Sequence, residues 1–208
     1  MIKNSNPKVW LIGAGNMALD YSKVLNALDI DYDVIGRGEK SANIFFEKSG
    51  KTSFKGGLVN FLDTNPKLCN FAIIAVNIDQ LYDTTKNLLN YGVKNILVEK
   101  PGGVNFFELN DLSDIASSLD ANIYIAYNRR FYASVIKLKE IIENGFGVQS
   151  FNFEFTEWAH IIEPASFNDK IKQSWLLSNS SHVIDLAFYL GGAPEKLTTY
   201  HSGKLKWH

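Results

Sequence analysis

Residues 9–18 of the chain, with the sequence VWLIGAGNMA, decide the fold. The first four residues are apolar and the run stops at Gly13, which is typical of a buried strand in a parallel sheet. Gly13, Gly15 and Ala18 form a G-x-G-x-x-A pattern, and residues 17–28 carry apolar side chains at helical spacing. A strand, a glycine turn and a helix in this order predict a βαβ unit that binds a dinucleotide, with the pyrophosphate on the first N–H groups of the helix.

Strand-like and helix-like segments alternate on both sides of this stretch, which predicts a doubly wound parallel sheet covered by helices. Short apolar runs mark the strands, at Val9–Ile12, Tyr32–Ile35, 71–76, 95–98 and 123–127. Helical spacing of apolar residues marks three helices, at 17–28, 81–89 and 106–119. We assign residues 1–130 to an NAD(P)-binding Rossmann domain on this basis.

The pattern changes after residue 130, which predicts a second, α+β domain over residues 131–208. Helices are expected at 135–142 and 183–190. Phenylalanines alternate with polar residues over 150–155, as in a strand of a sheet covered on one face, and 197–200 resembles another strand. Two strands make a marginal sheet, so we expect this mainly antiparallel domain to be truncated and to associate with a second copy of the chain.

Composition narrows the class of protein. The chain has 208 residues, of which 46% are hydrophobic, and 21 basic against 22 acidic side chains give a net charge of −1. A near-neutral chain offers no electrostatic reason to expect nucleic acid or an anionic membrane as a partner. The single cysteine, Cys69, excludes an internal disulfide, and the scattered histidines predict no metal site. The polar N-terminus lacks a signal peptide or membrane span, so we expect a soluble, cytoplasmic protein.

The end of the second predicted strand bears on the choice between NAD and NADP. An NAD site usually places an acidic residue there for the ribose hydroxyls. This chain has Gly36 and Arg37 instead. A guanidinium can bind a 2′-phosphate through two hydrogen bonds, although an arginine in solvent would give the same sequence. We predict NADP, with NAD possible.

Several separated motifs together resemble the glucose-fructose oxidoreductase / inositol dehydrogenase (Gfo/Idh/MocA) family. They are the GAGNMA loop, residues 75–77 (AVN), 99–101 (EKP), 127–131 (YNRRF) and 181–185 (SHVID). The resemblance implies an NAD(P)-dependent oxidoreductase acting on a sugar, cyclitol or related polyol, with an open sheet in the second domain. The predicted cofactor-binding residues are Gly13, Ala14, Gly15, Asn16, Met17, Arg37, Ala75, Val76, Asn77, Glu99 and Lys100.

Lys100 and His182 are the predicted catalytic residues. Lys100 follows a central strand, where its ammonium group can stabilise the alkoxide character that develops on a substrate hydroxyl. The resemblance implies the same role, and it implies that His182 transfers a proton. The family typically has an Asp four residues before this histidine, but here Ser178 occupies that position. The predicted substrate residues are Tyr127, Asn128, Arg129, Ser178 and Asp185, and Asp185 is also placed to orient the imidazole.

Two other functions fit the same sequence. Ser178 in place of the expected Asp, together with the short second domain, favours a non-catalytic NADP-binding subunit or sensor. A non-redox lyase or glycosidase that retains the nucleotide is the third possibility. Turnover of NADP with a polyol would support the dehydrogenase. Binding of NADP without turnover would support the subunit or sensor, and turnover without net consumption of the nucleotide would support the lyase or glycosidase.

Overall fold

A computed structural model describes residues 8–165 and 169–200. The chain divides into two compact units, Met1–Ala126 and Tyr127–His208. The division lies four residues before the boundary expected from the sequence.

The first unit contains one parallel sheet of six strands. In chain order the strands are β1 (Val9–Ile12), β2 (Tyr32–Ile35), β3 (Ser53–Phe54), β4 (Phe71–Ile74), β5 (Asn95–Val98) and β6 (Asn122–Ile125). They are arranged β3-β2-β1-β4-β5-β6, and each neighbouring pair is parallel. This arrangement confirms the predicted parallel α/β sheet. From β1, strands β2 and β3 are added on one side of the sheet and strands β4 to β6 on the other. The order of strands therefore reverses between β1 and β4, and ligands bind at this switch point in such folds.

Five α-helices connect these strands: α1 (Asn16–Ala27), α2 (Glu39–Ser49), α3 (Gly57–Leu62), α4 (Leu81–Tyr91) and α5 (Phe106–Ser118). Their apolar sides cover both faces of the sheet. On one face Trp10 is fully buried against Phe61, with their rings edge to face at 5.0 Å. Leu11 points to the other face, into a cluster with Ala18 and Phe45. The central strand β1 is therefore buried on both sides, as its uninterrupted apolar run predicts.

The second unit is helical in the part that the structure describes. After a 3-10 helix at Asn128–Phe131 it contains α6 (Ala133–Asn144), α7 (Ala159–Ile162), α8 (Asp169–Gln173), α9 (Trp175–Ser178) and α10 (Ser181–Gly191). The two predicted helices correspond to α6 and α10. The predicted strands at 150–155 and 197–200 are not formed, and the described residues of this unit include no strand. A strand needs a partner to satisfy its backbone groups, so an alternating pattern alone does not produce one.

Candidate functional site

Four of the loops that carry predicted cofactor-binding residues lie together at the carboxyl edge of the sheet. Backbone hydrogen bonds join these loops to the neighbouring strands: Gly13 N–H donates to Ile35 at 2.8 Å, Ala75 N–H to Ile12 at 2.8 Å and Glu99 N–H to Ile74 at 3.0 Å. Because all strands run in the same direction, residues far apart in sequence reach a single edge.

The backbone geometry at position 13 admits only glycine. The φ of Gly13 is +121°, and a Cβ added there would lie 2.2 Å from the carbonyl oxygen of Ala75. Neither the conformation nor the space admits a side chain. The loop from β1 can therefore pass directly beside the end of β4, where Ala75 is buried and Asn77 is exposed.

Gly15 leaves open the start of α1. An added Cβ at Gly15 would meet no protein atom within 4 Å, and no side chain caps the helix at this end. The first turn carries no acidic residue, and Asn16 and Met17 are exposed. Uncapped N–H groups and the positive end of the helix dipole suit a pyrophosphate. The chain thus fits a dinucleotide at this position by its own geometry.

Arg37 follows β2 at the same edge and its side chain is exposed. Its backbone is held, since the carbonyl of Arg37 accepts a hydrogen bond from Gly56 N–H at 3.2 Å. Gly57 lies beneath the side chain, where an added Cβ would be 3.7 Å from the Arg37 Cγ. The nearest acidic residue in sequence, Glu39, accepts a salt bridge from Lys55 at 3.1 Å. The guanidinium therefore faces solvent at the end of β2, and β2 is the neighbour of β1, the strand that leads into the Gly13 loop.

Glu99 and Lys100 form a closely packed turn after β5. The Lys100–Pro101 peptide bond is cis, and the Glu99 carbonyl accepts from Gly102 N–H at 3.0 Å. Tyr21 of α1 donates its hydroxyl to the Glu99 carboxylate at 2.7 Å. Burial and this carboxylate raise the pKa of Tyr21, so the phenol stays protonated at neutral pH. Lys100 is half-buried.

In the second unit, α10 contacts the 3-10 helix. The Arg130 guanidinium donates to both carboxylate oxygens of Asp185, with Nε at 2.8 Å from Oδ2. It also lies over the Tyr189 ring, 4.7 Å from its centroid. The Tyr127 ring meets His182 edge to face at 5.8 Å, and burial raises the pKa of Tyr127.

Asp185 is held by this ion pair. The sequence placed it to orient His182 or to bind substrate, but its carboxylate is held by Arg130, and only 11% of the Asp185 side chain is exposed. A bidentate guanidinium satisfies a carboxylate more completely than one imidazole N–H can. Asn128 and Arg129 lie in the 3-10 helix, and Asn128 is exposed.

Ser178 ends α9 and is buried. Its hydroxyl lies 2.8 Å from that of Ser174, one helical turn earlier. Nearby, Glu157 accepts hydrogen bonds from Ser180 and from Asn179, the latter at 3.1 Å. Burial alone would raise the pKa of Glu157, but the hydrogen bonds outweigh it and the pKa is lowered. The Ser178 hydroxyl is therefore paired with that of Ser174. The carboxylate of Glu157 is bound by the two residues that follow Ser178 in the chain.

Sequence reasoning missed Tyr21, Glu157 and Tyr189. The spacing of α1 places Tyr21 on its apolar side, which identifies a packing residue but not its hydrogen-bond partner. Among the described residues, no three His, Cys, Asp or Glu side chains are grouped so that they could hold a metal ion. None of the described helices has the length and hydrophobicity to cross a membrane.

Comparison with known proteins agrees with this fold. No family model matches the chain. Two proteins of Schizosaccharomyces pombe, both described as uncharacterized oxidoreductases, are 26% identical to it over 204 and 199 residues, or 92% of the chain in each case. The chain spans about half the length of these relatives, 53% and 54%.

Solved structures with this fold include the WlbA dehydrogenase of Bordetella pertussis in complex with NADH and UDP-GlcNAcA. It is 14% identical, with a TM-score of 0.73 over 92% of this chain and 57% of its own. Levoglucosan dehydrogenase in complex with NADH and L-sorbose is 20% identical, with a TM-score of 0.70 over 90% and 54%. These neighbours are Gfo/Idh/MocA-type NAD-binding dehydrogenases, which confirms at the level of the fold the resemblance seen in the sequence.

Proposed function

We propose that the chain binds NADP at the carboxyl edge of its first unit and belongs to an NADP-dependent oxidoreductase acting on a sugar, cyclitol or related polyol. The observation that carries this proposal is the turn before α1, where Gly13 admits no side chain and Gly15 leaves the start of the helix open. The names of the yeast relatives support the reaction class, and the NADH and sugar complexes of the structural neighbours support the ligand classes.

Each unit has its own part in this proposal. In the first unit, residues 13–17 and 75–77 hold the dinucleotide, and Arg37 holds the 2′-phosphate. Bound NADP supplies the hydride acceptor or donor. Lys100 binds the substrate hydroxyl and stabilises its developing negative charge, while His182 exchanges the proton. The second unit carries the substrate-binding residues Tyr127, Asn128 and Arg129 and the surface through which two copies associate.

Gly15→Ala tests the dinucleotide site. The added methyl group meets no protein atom, so the melting temperature should stay within about 2 °C, while the dissociation constant for NADP rises by about tenfold or more because the methyl group occupies the phosphate position. Calorimetric titration measures the affinity. Unchanged NADP affinity in a folded variant would reject the site.

Arg37→Asp tests the preference for NADP. The change removes a charge-assisted pair and adds repulsion, so NADP binding should weaken by roughly 2 kcal/mol or more while NAD binding changes little. Lys67→Asp makes the same charge change at an exposed residue before β4, at the opposite edge of the sheet, and should leave both affinities unchanged. Equal affinity of the unmodified protein for the two dinucleotides would contradict the preference.

Lys100→Met tests the catalytic role. The side chain keeps a similar length and loses its charge, so turnover with NADP and an active polyol should fall by about 10² or more while NADP still binds. The two quantities are measured on the same preparation, by initial rates and by titration. A variant that turns over at the normal rate would remove Lys100 from the reaction.

A non-catalytic NADP-binding subunit or sensor is the second candidate. Two observations favour it: an uncharged hydroxyl, Ser178, paired with Ser174, stands where the family has an Asp, and the Asp185 carboxylate is held by Arg130. Tight NADP binding with no turnover on a broad panel of sugars and polyols would select this candidate. Turnover without net consumption of NADP would instead select a lyase or glycosidase.

A further inference from the structure

Tyr21 joins two parts of the first unit that are 78 residues apart in sequence. It lies in α1, the helix whose start forms the proposed pyrophosphate site, and its hydroxyl donates to Oε1 of Glu99 at 2.7 Å. Both side chains are partly buried. Hydrogen bonds to a carboxylate are stronger than neutral ones, and partial burial protects this one from competition by water.

The turn that receives this hydrogen bond is held firmly at its other points. The Glu99 N–H donates to Ile74 and its carbonyl accepts from Gly102, both at 3.0 Å. Gly102 has φ +87°, and an added Cβ would lie 2.5 Å from Cδ1 of Ile125. Because these hydrogen bonds hold the backbone on both sides of Lys100, we expect a displacement of the Glu99 side chain to reach Lys100.

We infer that Tyr21 is a positioning residue that couples occupancy of the glycine loop to the turn carrying Lys100. The inference rests on the proposed function, since it requires a dinucleotide at the start of α1. A pyrophosphate bound there holds α1 in place, and the Tyr21–Glu99 hydrogen bond extends this constraint to residues 99–102. Lys100 is thereby ordered when the cofactor is present, before a substrate arrives.

The test uses ADP-ribose, which has the pyrophosphate of the dinucleotide but lacks the nicotinamide. Hydrogen exchange of the Glu99 and Gly102 amides is measured with and without saturating ADP-ribose, in the unmodified chain and in Tyr21→Phe. We expect ADP-ribose to slow exchange at both amides by about fivefold or more in the unmodified chain, and by less than about twofold in the variant.

Tyr82→Phe is the matched control. Tyr82 also donates to a carboxylate, Asp111, at 2.6 Å, but between α4 and α5. This variant loses a comparable hydrogen bond and should keep the full slowing at residues 99 and 102. If ADP-ribose slows exchange less in both variants than in the unmodified chain, the loss of rigidity is general and the inference is overturned. Should Tyr21→Phe fold poorly, Glu99→Gln replaces it, and we expect about half of the slowing to be lost because the acceptor becomes neutral.

The other possible results of the exchange experiment separate the inference from the proposed function. Equal slowing in the unmodified chain and in Tyr21→Phe overturns the inference and leaves the proposed function intact. So does binding of ADP-ribose without slowing in the unmodified chain. If ADP-ribose does not bind the unmodified chain, the proposed nucleotide site is wrong and the coupling falls with it.

Discussion

The two units of the chain differ in how completely they bury their own apolar side chains. The largest fully buried side chains, among them Trp10, Phe45 and Leu88, belong to the first unit. Among the described residues of the second unit, the buried hydrophobic side chains are Val135, Ile162 and Trp175. The same unit exposes large apolar residues, including Ile136, Leu138, Ile141, Phe146, Phe151, Phe153 and Leu176.

The difference follows from the kind of element that each unit contains. A βα repeat supplies both a strand and the helix that covers it, so each successive piece of the first unit buries part of its neighbours. The second unit offers helices with apolar faces and, in its described part, no sheet to receive them. We therefore expect matched changes in the two units to have different effects.

Thiol reactivity should differ most between the units. Burial raises the pKa of Cys69 in the first unit to about 12, so at pH 8 the reactive thiolate is roughly 10³-fold rarer than for an ordinary thiol. Disulfide exchange with an aromatic disulfide reagent should therefore be correspondingly slow until urea unfolds the unit. Val135→Cys in a Cys69→Ser background places a thiol at a buried position of the second unit, and we expect it to react at least about tenfold faster than Cys69. Equal rates would show that the two cores are equally closed.

Gly13→Ala should destabilise the first unit by about 2–4 kcal/mol. The methyl group would lie against the Ala75 carbonyl, and the residue would keep a φ that side chains disfavour. Urea unfolding followed by the fluorescence of buried Trp10, in a background where the three other tryptophans are replaced by Phe, measures the change. Gly15→Ala, in the same loop but with open space around the added carbon, should unfold like the unmodified chain. A smaller effect at Gly13 than at Gly15 would contradict the geometry of the loop.

Asp185→Asn should destabilise the second unit by about 1–2 kcal/mol. The substitution leaves Arg130 without its carboxylate, but this guanidinium side chain remains 38% exposed, so the cost is below that of a fully buried pair. Asp111→Asn is the control in the first unit: the Asp111 side chain is 44% exposed, against 11% for Asp185, so loss of the Lys86–Asp111 pair should shift the unfolding midpoint less. In a Trp10→Phe background the three remaining tryptophans all belong to the second unit, so their fluorescence reports its transition. A larger shift for Asp111→Asn would reverse the comparison.

Association should be sensitive to charge on the second unit and not on the first. We predict that the chain associates through its second unit, because exposed apolar surface of this extent favours contact with another copy. Ile141→Glu should then weaken association by about fivefold, roughly 1 kcal/mol. Val59→Glu introduces the same charge in the first unit at a residue with the same 58% exposure, and should have no effect. Light scattering over a concentration series measures both, and a concentration-independent monomer would contradict the prediction.

The sequence determined the first unit because its signals are local. An apolar run that stops at a glycine, followed by helical spacing, needs no information from elsewhere in the chain, and β1, α1, β5 and α5 lie within a few residues of their predicted positions. β3 has only two residues and therefore carries no periodicity. The predicted strand at 71–76 ends at Ile74, because the chain must turn at Ala75 to meet the Gly13 loop.

The sequence also placed Gly13, Arg37, Asn77 and Lys100 at one edge, since the residues that follow parallel strands share it. Which of these side chains contact each other depends on the three-dimensional packing of the chain. Tyr21 reaches Glu99 across 78 residues, and Arg130 takes the Asp185 carboxylate across 55. The strand expected at 150–155 failed for the same reason. A hydrogen bond forms only when its donor and acceptor come within a short distance of each other. A pattern of neighbouring residues in the sequence does not determine the distance between residues that are far apart in the chain.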